Sequence, residues 1–159
     1  MFLDSRAFWV HRFAGGILSA VTLTQPIPFS HKQHAAVAAC NVCHATAASA
    51  ERAGLPAVSL CMLCHEGVKK DAHSIRRLAT YHKEGKPVPW VRVYRLPDFV
   101  FFSHAKHLGA KVECAACHGP VELREVLSQE VPATMKTCVD CHRSRDVSIA
   151  CNLCHELGQ

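Results

Sequence analysis

No cysteine of this 159-residue chain stands alone, and no apolar stretch is long enough for an ordinary membrane span. Phe13 to Leu23, an eleven-residue stretch without charge, has the length of a signal h-region rather than of a spanning helix. The βαβ context that a thioredoxin-like redox motif requires is missing too. After Cys154 there is no room for another strand or helix to be buried. Acidic residues are in the minority, 13 against 18 basic ones, which leaves a formal charge of +5. That balance alone would point to an acidic partner.

What is present is concentrated in one pattern. The ten cysteines form five pairs: Cys40 with Cys43, Cys61 with Cys64, Cys114 with Cys117, Cys138 with Cys141, and Cys151 with Cys154. A histidine follows each pair at once: His44, His65, His118, His142 and His155. C-x-x-C-H is the attachment motif for haem c. Two thiols three positions apart reach the two vinyl groups on one porphyrin edge, and the next histidine is set beneath the ring, where its imidazole binds iron. Zinc ribbons need pairs of pairs and no histidine after each, and five pairs would leave one unmatched. The sequence therefore calls for five covalently attached haem c groups. Each adds two propionates, so five ferric haems contribute roughly −5 and bring the loaded protein near neutrality. Nucleic-acid binding is not indicated.

Attachment of haem c takes place outside the bacterial cytoplasm, so the chain must be exported. Residues 1–25, with Arg6, His11 and Arg12 ahead of the uncharged stretch, read as an export signal or an N-terminal anchor or arm. Residues 26–159 form the haem domain, placed in the periplasm or outside the cell, with membrane association through the N-terminus left open.

The domain repeats itself. "PFSHKQHAAVAACNVCH" from Pro28 and "FFSHAKHLGAKVECAACH" from Phe101 both read F-S-H-x-x-H before C-x-x-C-H, and a second motif follows in each half. The plan is a pseudo-repeat of 28–70 and 101–147, a connector over 71–100, and a fifth site over 148–159. The paired histidines, His31/His34 and His104/His107, stand about 60° apart on a helix. Two such rings cannot converge on one iron from the same side, but they suit two neighbouring haems. They supply distal ligands for four sites. For the fifth the candidates are Met135, His82, and His73 or His11, with an open haem as the remaining option. Methionine would raise that haem's potential above its bis-histidine neighbours.

Between the halves, "KKDAHSIRRLATYHKEG" reads as a helix ended by Gly85, with Ile75, Leu78 and His82 on one face. "KPVPWVRVYRLPDFVFF" reads as an extended connector with short strand-like runs. The expected fold is mainly α with much irregular structure: short helices and loops wrapped around haems, with little strand.

The F-S-H-x-x-H…C-x-x-C-H text resembles the class III multihaem cytochromes, the c3 and c7 group. "KPVPWVRVYRLPDFVFFSHAKH…CAACHGPVELREV" is similar to the multihaem cytochrome subunits of alternative complex III and of the periplasmic menaquinone reductase complex. The resemblance implies low-potential bis-histidine haems at close range. It also implies redox partner proteins or a membrane quinol-oxidising complex as partners. The leading expectation is electron transfer without catalysis. A haem-stacking subunit of an extracellular filament and a terminal reductase with one open haem are the alternatives.

Overall fold

A computed structural model describes residues 23–156; His11 and most of the export segment lie outside that range. Its regular elements are short helices: α1 His31–Ala35, α2 Cys40–Cys43, α3 Val58–His65, α4 His73–Lys83, α5 His104–Gly109, α6 Ala115–His118 and α7 Met135–Ser144. Single 3-10 turns add Val121–Leu123 and Cys151–Leu153. Among the described residues there is no strand, only an isolated antiparallel bridge between Val100 and His155. The strand-like runs of the connector therefore do not pair with one another. Their prolines at 87, 89 and 97 remove donors that a ladder would need.

Helix boundaries follow local chemistry. The Ser30 hydroxyl accepts from Gln33 N at 3.1 Å and starts α1, and the Ser103 hydroxyl accepts from Lys106 N at 3.3 Å and starts α5. Thr134 caps α7 in the same way, through Thr137 N. The connector helix α4 ends just before Gly85, whose φ of +63° suits only glycine well.

Few residues are buried. Ile27, Val58, Met62, Leu78 and Val88 form the core, where α3 packs on α4, with Ile75, Tyr81 and Trp90 half-buried around it. Leu78 and Ile75 thus face inward as their spacing requires, while His82, expected on the same face, is exposed near the end of α4. Gln25 fastens the segment before α1 to the connector: its Nε2 donates to Val91 O at 2.8 Å and its Oε1 accepts from Val91 N at 3.0 Å. Several other large apolar side chains, among them Leu63, Phe99, Phe101, Leu123 and Leu153, are more than half exposed in the polypeptide alone. A core this small cannot order such a chain against its conformational entropy.

Candidate functional site: five Cys-x-x-Cys-His turns and their facing imidazoles

The motifs are numbered here as sites 1 to 5 in chain order. Each is a turn of helix. In sites 1, 3 and 5 the motif histidine N–H donates to the carbonyl of the first cysteine, at 2.9 Å (His44 to Cys40), 3.0 Å (His118 to Cys114) and 2.9 Å (His155 to Cys151). Sites 2 and 4 lie inside the longer helices α3 and α7. Positions i, i+3 and i+4 share one helix face, so one turn presents two thiols and an imidazole together.

No cysteine pairs with another in a disulfide, and each is at least partly exposed in the polypeptide. Cys40, Cys64, Cys114, Cys117, Cys138, Cys141 and Cys151 are exposed, while Cys43, Cys61 and Cys154 are half-buried. Within site 2 the two thiols therefore differ: Cys61 sits against the α3–α4 core, whereas Cys64, one turn on, is open to solvent. The Cys64 carbonyl accepts from Gly67 N at 3.1 Å and from Val68 N at 2.9 Å. Those bonds curl the chain so that Val68 O meets the His65 ring. Burial and nearby thiols raise the pKa of Cys61, Cys114, Cys117 and Cys138.

The F-S-H-x-x-H segments form two matching constructions. Phe29 stacks on His34, with centroids 4.2 Å apart and planes at 21°, and meets His31 edge-on at 4.9 Å. Phe102 does the same for His107 at 4.5 Å and 24°, and for His104 at 4.8 Å. The serine works twice. Its hydroxyl caps the helix, and its carbonyl accepts from the Nδ1–H of the second histidine, at 2.8 Å for both His34 and His107.

Carbonyl oxygens orient most of the remaining rings. The Nδ1–H of His44 donates to Gly54 O (2.8 Å), His65 to Val68 O (3.0 Å), His104 to Glu51 O (2.8 Å), His142 to Ser148 O (3.0 Å) and His155 to Phe99 O (3.4 Å). A carbonyl can only accept, so each of these rings carries its proton on Nδ1. That leaves the Nε2 lone pair free for a metal. Gly54 reaches its carbonyl position with φ +73°, a conformation that a Cβ would strain. The His118 ring packs edge-on against Tyr94 at 4.5 Å, and Tyr94 is itself pinned because its hydroxyl accepts from Glu130 N and Val131 N.

Sequence reasoning did not assign roles to Phe29, Phe102 or Tyr94. The repeated F-S before each histidine pair was the available signal for the first two.

Facing pairs emerge from these restraints. His34 and His65 have ring centroids 6.1 Å apart, His104 and His118 6.3 Å with planes only 5° apart, and His107 and His142 6.2 Å. His31 lies beside His44. Burial, with His44 and His34 nearby, depresses its pKa. Burial also depresses that of His118, beside His104 and His44. An imidazole nitrogen binds a first-row metal at about 2 Å, so two such bonds and two half-rings span about 6 Å. The observed gaps therefore fit one iron between each facing pair.

The fifth-site candidates fare differently. His155 meets the ring of Phe99 at 5.9 Å, and among the described residues no imidazole faces it at the spacing of the other pairs. Met135 is not in a loop: it is the first residue of α7, and is 69% exposed. His73 opens α4 and is exposed, as is His82 at the other end of that helix.

Comparison with known proteins agrees with the geometry. The class III cytochrome c family matches residues 16–92, and the family of cytochrome c7 and related cytochrome c matches residues 100–156. The chain is 34% identical to the menaquinone reductase multiheme cytochrome c subunit of Nitratidesulfovibrio vulgaris, over 83% of this chain and 77% of that protein. The chain belongs to the class III multihaem cytochromes c. This cytochrome accordingly binds haem c covalently and functions in electron transfer. The helix-and-loop architecture without strands among the described residues is that of a small multihaem cytochrome.

Proposed function

We propose that this cytochrome carries five haem c groups, one at each C-x-x-C-H turn, and relays electrons between redox partners outside the cytoplasm. The observation that carries the reading is the set of imidazole pairs about 6 Å apart, each joining a motif histidine to a histidine of an F-S-H-x-x-H segment. Bound haem supplies a one-electron ferric/ferrous couple at each site. The residues do the rest.

His44 with His31, His65 with His34, His118 with His104, and His142 with His107 would hold the iron at sites 1 to 4. His155 and Met135 would hold it at site 5. Cys40 and Cys43 would attach the haem at site 1, Cys61 and Cys64 at site 2, and Cys114 and Cys117 at site 3. Cys138 and Cys141 serve site 4, and Cys151 and Cys154 serve site 5. Phe29 and Phe102 hold the distal rings apart, and the backbone carbonyls fix every Nδ1–H they accept from. Iron held by two protein ligands at every site would leave no place for a substrate, so this reading makes the chain a relay and not an enzyme.

The domain plan is retained: residues 26–159 hold the haems in two repeats plus an appended site, and residues 1–25 serve export or anchoring. Among the described residues no helix is long and apolar enough to cross a membrane. A partner that exchanges electrons with quinone is supported by the name of the relative, a subunit of a menaquinone reductase. The test is a haem-to-protein ratio with EPR on the matured protein. Five low-spin haems, four of them with bis-histidine signals, are expected. Four or fewer haems in fully matured protein would contradict the count, and any high-spin haem would contradict the ligand assignment.

A further inference from the structure

Among the described residues, His118 is the one motif histidine whose ring meets no backbone carbonyl. His44, His65, His142 and His155 each make an Nδ1 hydrogen bond to one. The torsion that turns an imidazole about its Cβ–Cγ bond is soft, so a ring without such a bond needs another contact to set its plane. Tyr94 of the connector supplies it. Its ring stands against that of His118 with centroids 4.5 Å apart and planes at 78°, a T-shaped contact.

Tyr94 is itself fixed at its far end. The hydroxyl accepts from Glu130 N at 3.1 Å and from Val131 N at 3.3 Å. The Glu130 carboxylate is in turn held by the Arg124 guanidinium through Nε and Nη2. The ring is therefore tied to the segment that follows site 3, and cannot swing away from His118 without breaking those bonds.

The facing pair that contains His118 has its own geometry. The planes of His104 and His118 are 5° apart, whereas those of His34 and His65 are tilted by 56° and those of His107 and His142 by 46°. In the two tilted pairs all four rings donate Nδ1–H to carbonyls. In the parallel pair His104 does so, to Glu51 O, and Tyr94 takes the carbonyl's part at His118.

The angle between two such rings matters because the axial ligands are one of the protein's levers on haem iron. The π orbital of an imidazole lies perpendicular to its ring and acts on one of two otherwise similar iron d orbitals. Parallel rings act on the same orbital and separate the two widely, while tilted rings divide their effect. In a low-spin ferric site the first arrangement gives a rhombic EPR signal, and the second a signal with a larger highest g value.

We infer that Tyr94 is a positioning residue of site 3, holding the His118 ring parallel to that of His104 and so setting the iron of this site apart from those of sites 2 and 4. The inference rests on the ligand pairs proposed above.

The test compares the matured protein with Tyr94→Phe and Tyr94→Leu by EPR of the fully oxidised state. His34→Ala, His104→Ala and His107→Ala identify the signals of sites 2, 3 and 4 as the ones that they remove. In the wild type, the site 3 signal should be the most rhombic of the three. Tyr94→Phe keeps the ring and loses the hydroxyl, so it should retain the wild-type g values with a lower unfolding midpoint. Tyr94→Leu removes the ring and should raise the highest g value of site 3 alone. A residue that merely supported the fold would move the midpoint and leave the g values in place. An unchanged site 3 signal in Tyr94→Leu overturns the inference, as does a shift in Tyr94→Phe as large as that in Tyr94→Leu. A wild-type site 3 signal no more rhombic than those of sites 2 and 4 also overturns it, and needs no Tyr94 variant to fold. If His104→Ala keeps every bis-histidine signal, the ligand pairing fails and the inference with it, and intact mass reports the haem number independently.

Discussion

Phe102 lies face to face with His107, ring centroids 4.5 Å apart and planes at 24°, while its edge meets His104 at 4.8 Å. One aromatic ring thus sets the spacing between two imidazoles that, on the proposed ligand assignment, serve different sites. An aromatic pair of this kind contributes about 0.5–1.5 kcal/mol beyond the area it buries. Phe102→Leu keeps much of the apolar volume but removes both ring contacts. It should destabilise the matured protein by about 1 kcal/mol. It should also broaden the low-spin EPR signals of sites 3 and 4 while leaving that of site 2 unchanged. Unchanged signals at all sites would show that the carbonyl bonds alone hold the rings.

The serine before each histidine pair offers a separable effect. Ser103→Ala removes the hydroxyl that caps α5 and leaves the carbonyl that holds His107. Loss of such a cap costs about 1 kcal/mol. The expected outcome is a lowered unfolding midpoint with unaltered haem spectra, and Ser30→Ala should match it. A spectral change at site 4 would mean that the cap and the ligand orientation are coupled.

Gly119 follows the third motif with φ +70°, and a Cβ there would sit 2.9 Å from the Glu130 carboxylate. Glu130 is not free to withdraw, because Arg124 holds both its oxygens, with Nη2 at 2.9 Å, and its backbone N–H donates to Tyr94. Gly119→Ala therefore meets both backbone strain and a clash. Strain of this kind costs on the order of 1–3 kcal/mol. Reduced yield of fully loaded protein is expected, with the loss at site 3. Adding Glu130→Ala should recover part of the stability by removing the clash but not the strain. Full recovery would show that the positive φ costs nothing here.

Much of this was legible from sequence because the cofactor chemistry is written in contiguous residues. Cys-x-x-Cys-His is one helical turn, and the F-S-H-x-x-H segment is a cap, a prop and two rings within six positions. The helix before Gly85 was visible for the same reason: its periodicity and its stop signal are both local. What sequence could not supply is long-range. Glu51 O accepting from His104, Arg124 O accepting from Lys32 N, and Tyr94 packing on His118 each join residues more than twenty apart through backbone atoms or a lone ring. Backbone acceptors leave no mark in residue identity. The unequal exposure of Cys61 and Cys64 was hidden in the same way, since it depends on which face of α3 meets α4. The connector read as strand-like because Val91, Val93 and Val100 are β-formers, yet prolines and the lack of a partner ladder leave it irregular.

His31 breaks the near-symmetry of the halves. Its Nδ1 is buried without a hydrogen-bond partner, whereas the equivalent atom of His104 donates to Glu51 O. Donation from Nδ1 makes a ligand imidazole more basic and favours the ferric state. Sites 2 and 4, where both rings donate to carbonyls, should therefore have lower potentials than site 1. A redox titration resolved by site through NMR checks this, and a site 1 potential below both would refute it.

The positions of α4 and α7 bear on the distal ligand of site 5. His82 belongs to α4, which packs on α3 and therefore on site 2. Met135 begins α7 and precedes Cys138 by three residues, which puts both on one helix face. Its thioether is exposed in the bare polypeptide, as are other apolar side chains at the haem sites. Met135→Ala should leave four haems unchanged and turn one high-spin, or lower its potential if water or histidine takes the sulfur's place. His82→Ala should keep every haem as it was. Loss of a low-spin haem in the His82 variant but not in the Met135 variant would move the ligand to α4 and place that helix against site 5.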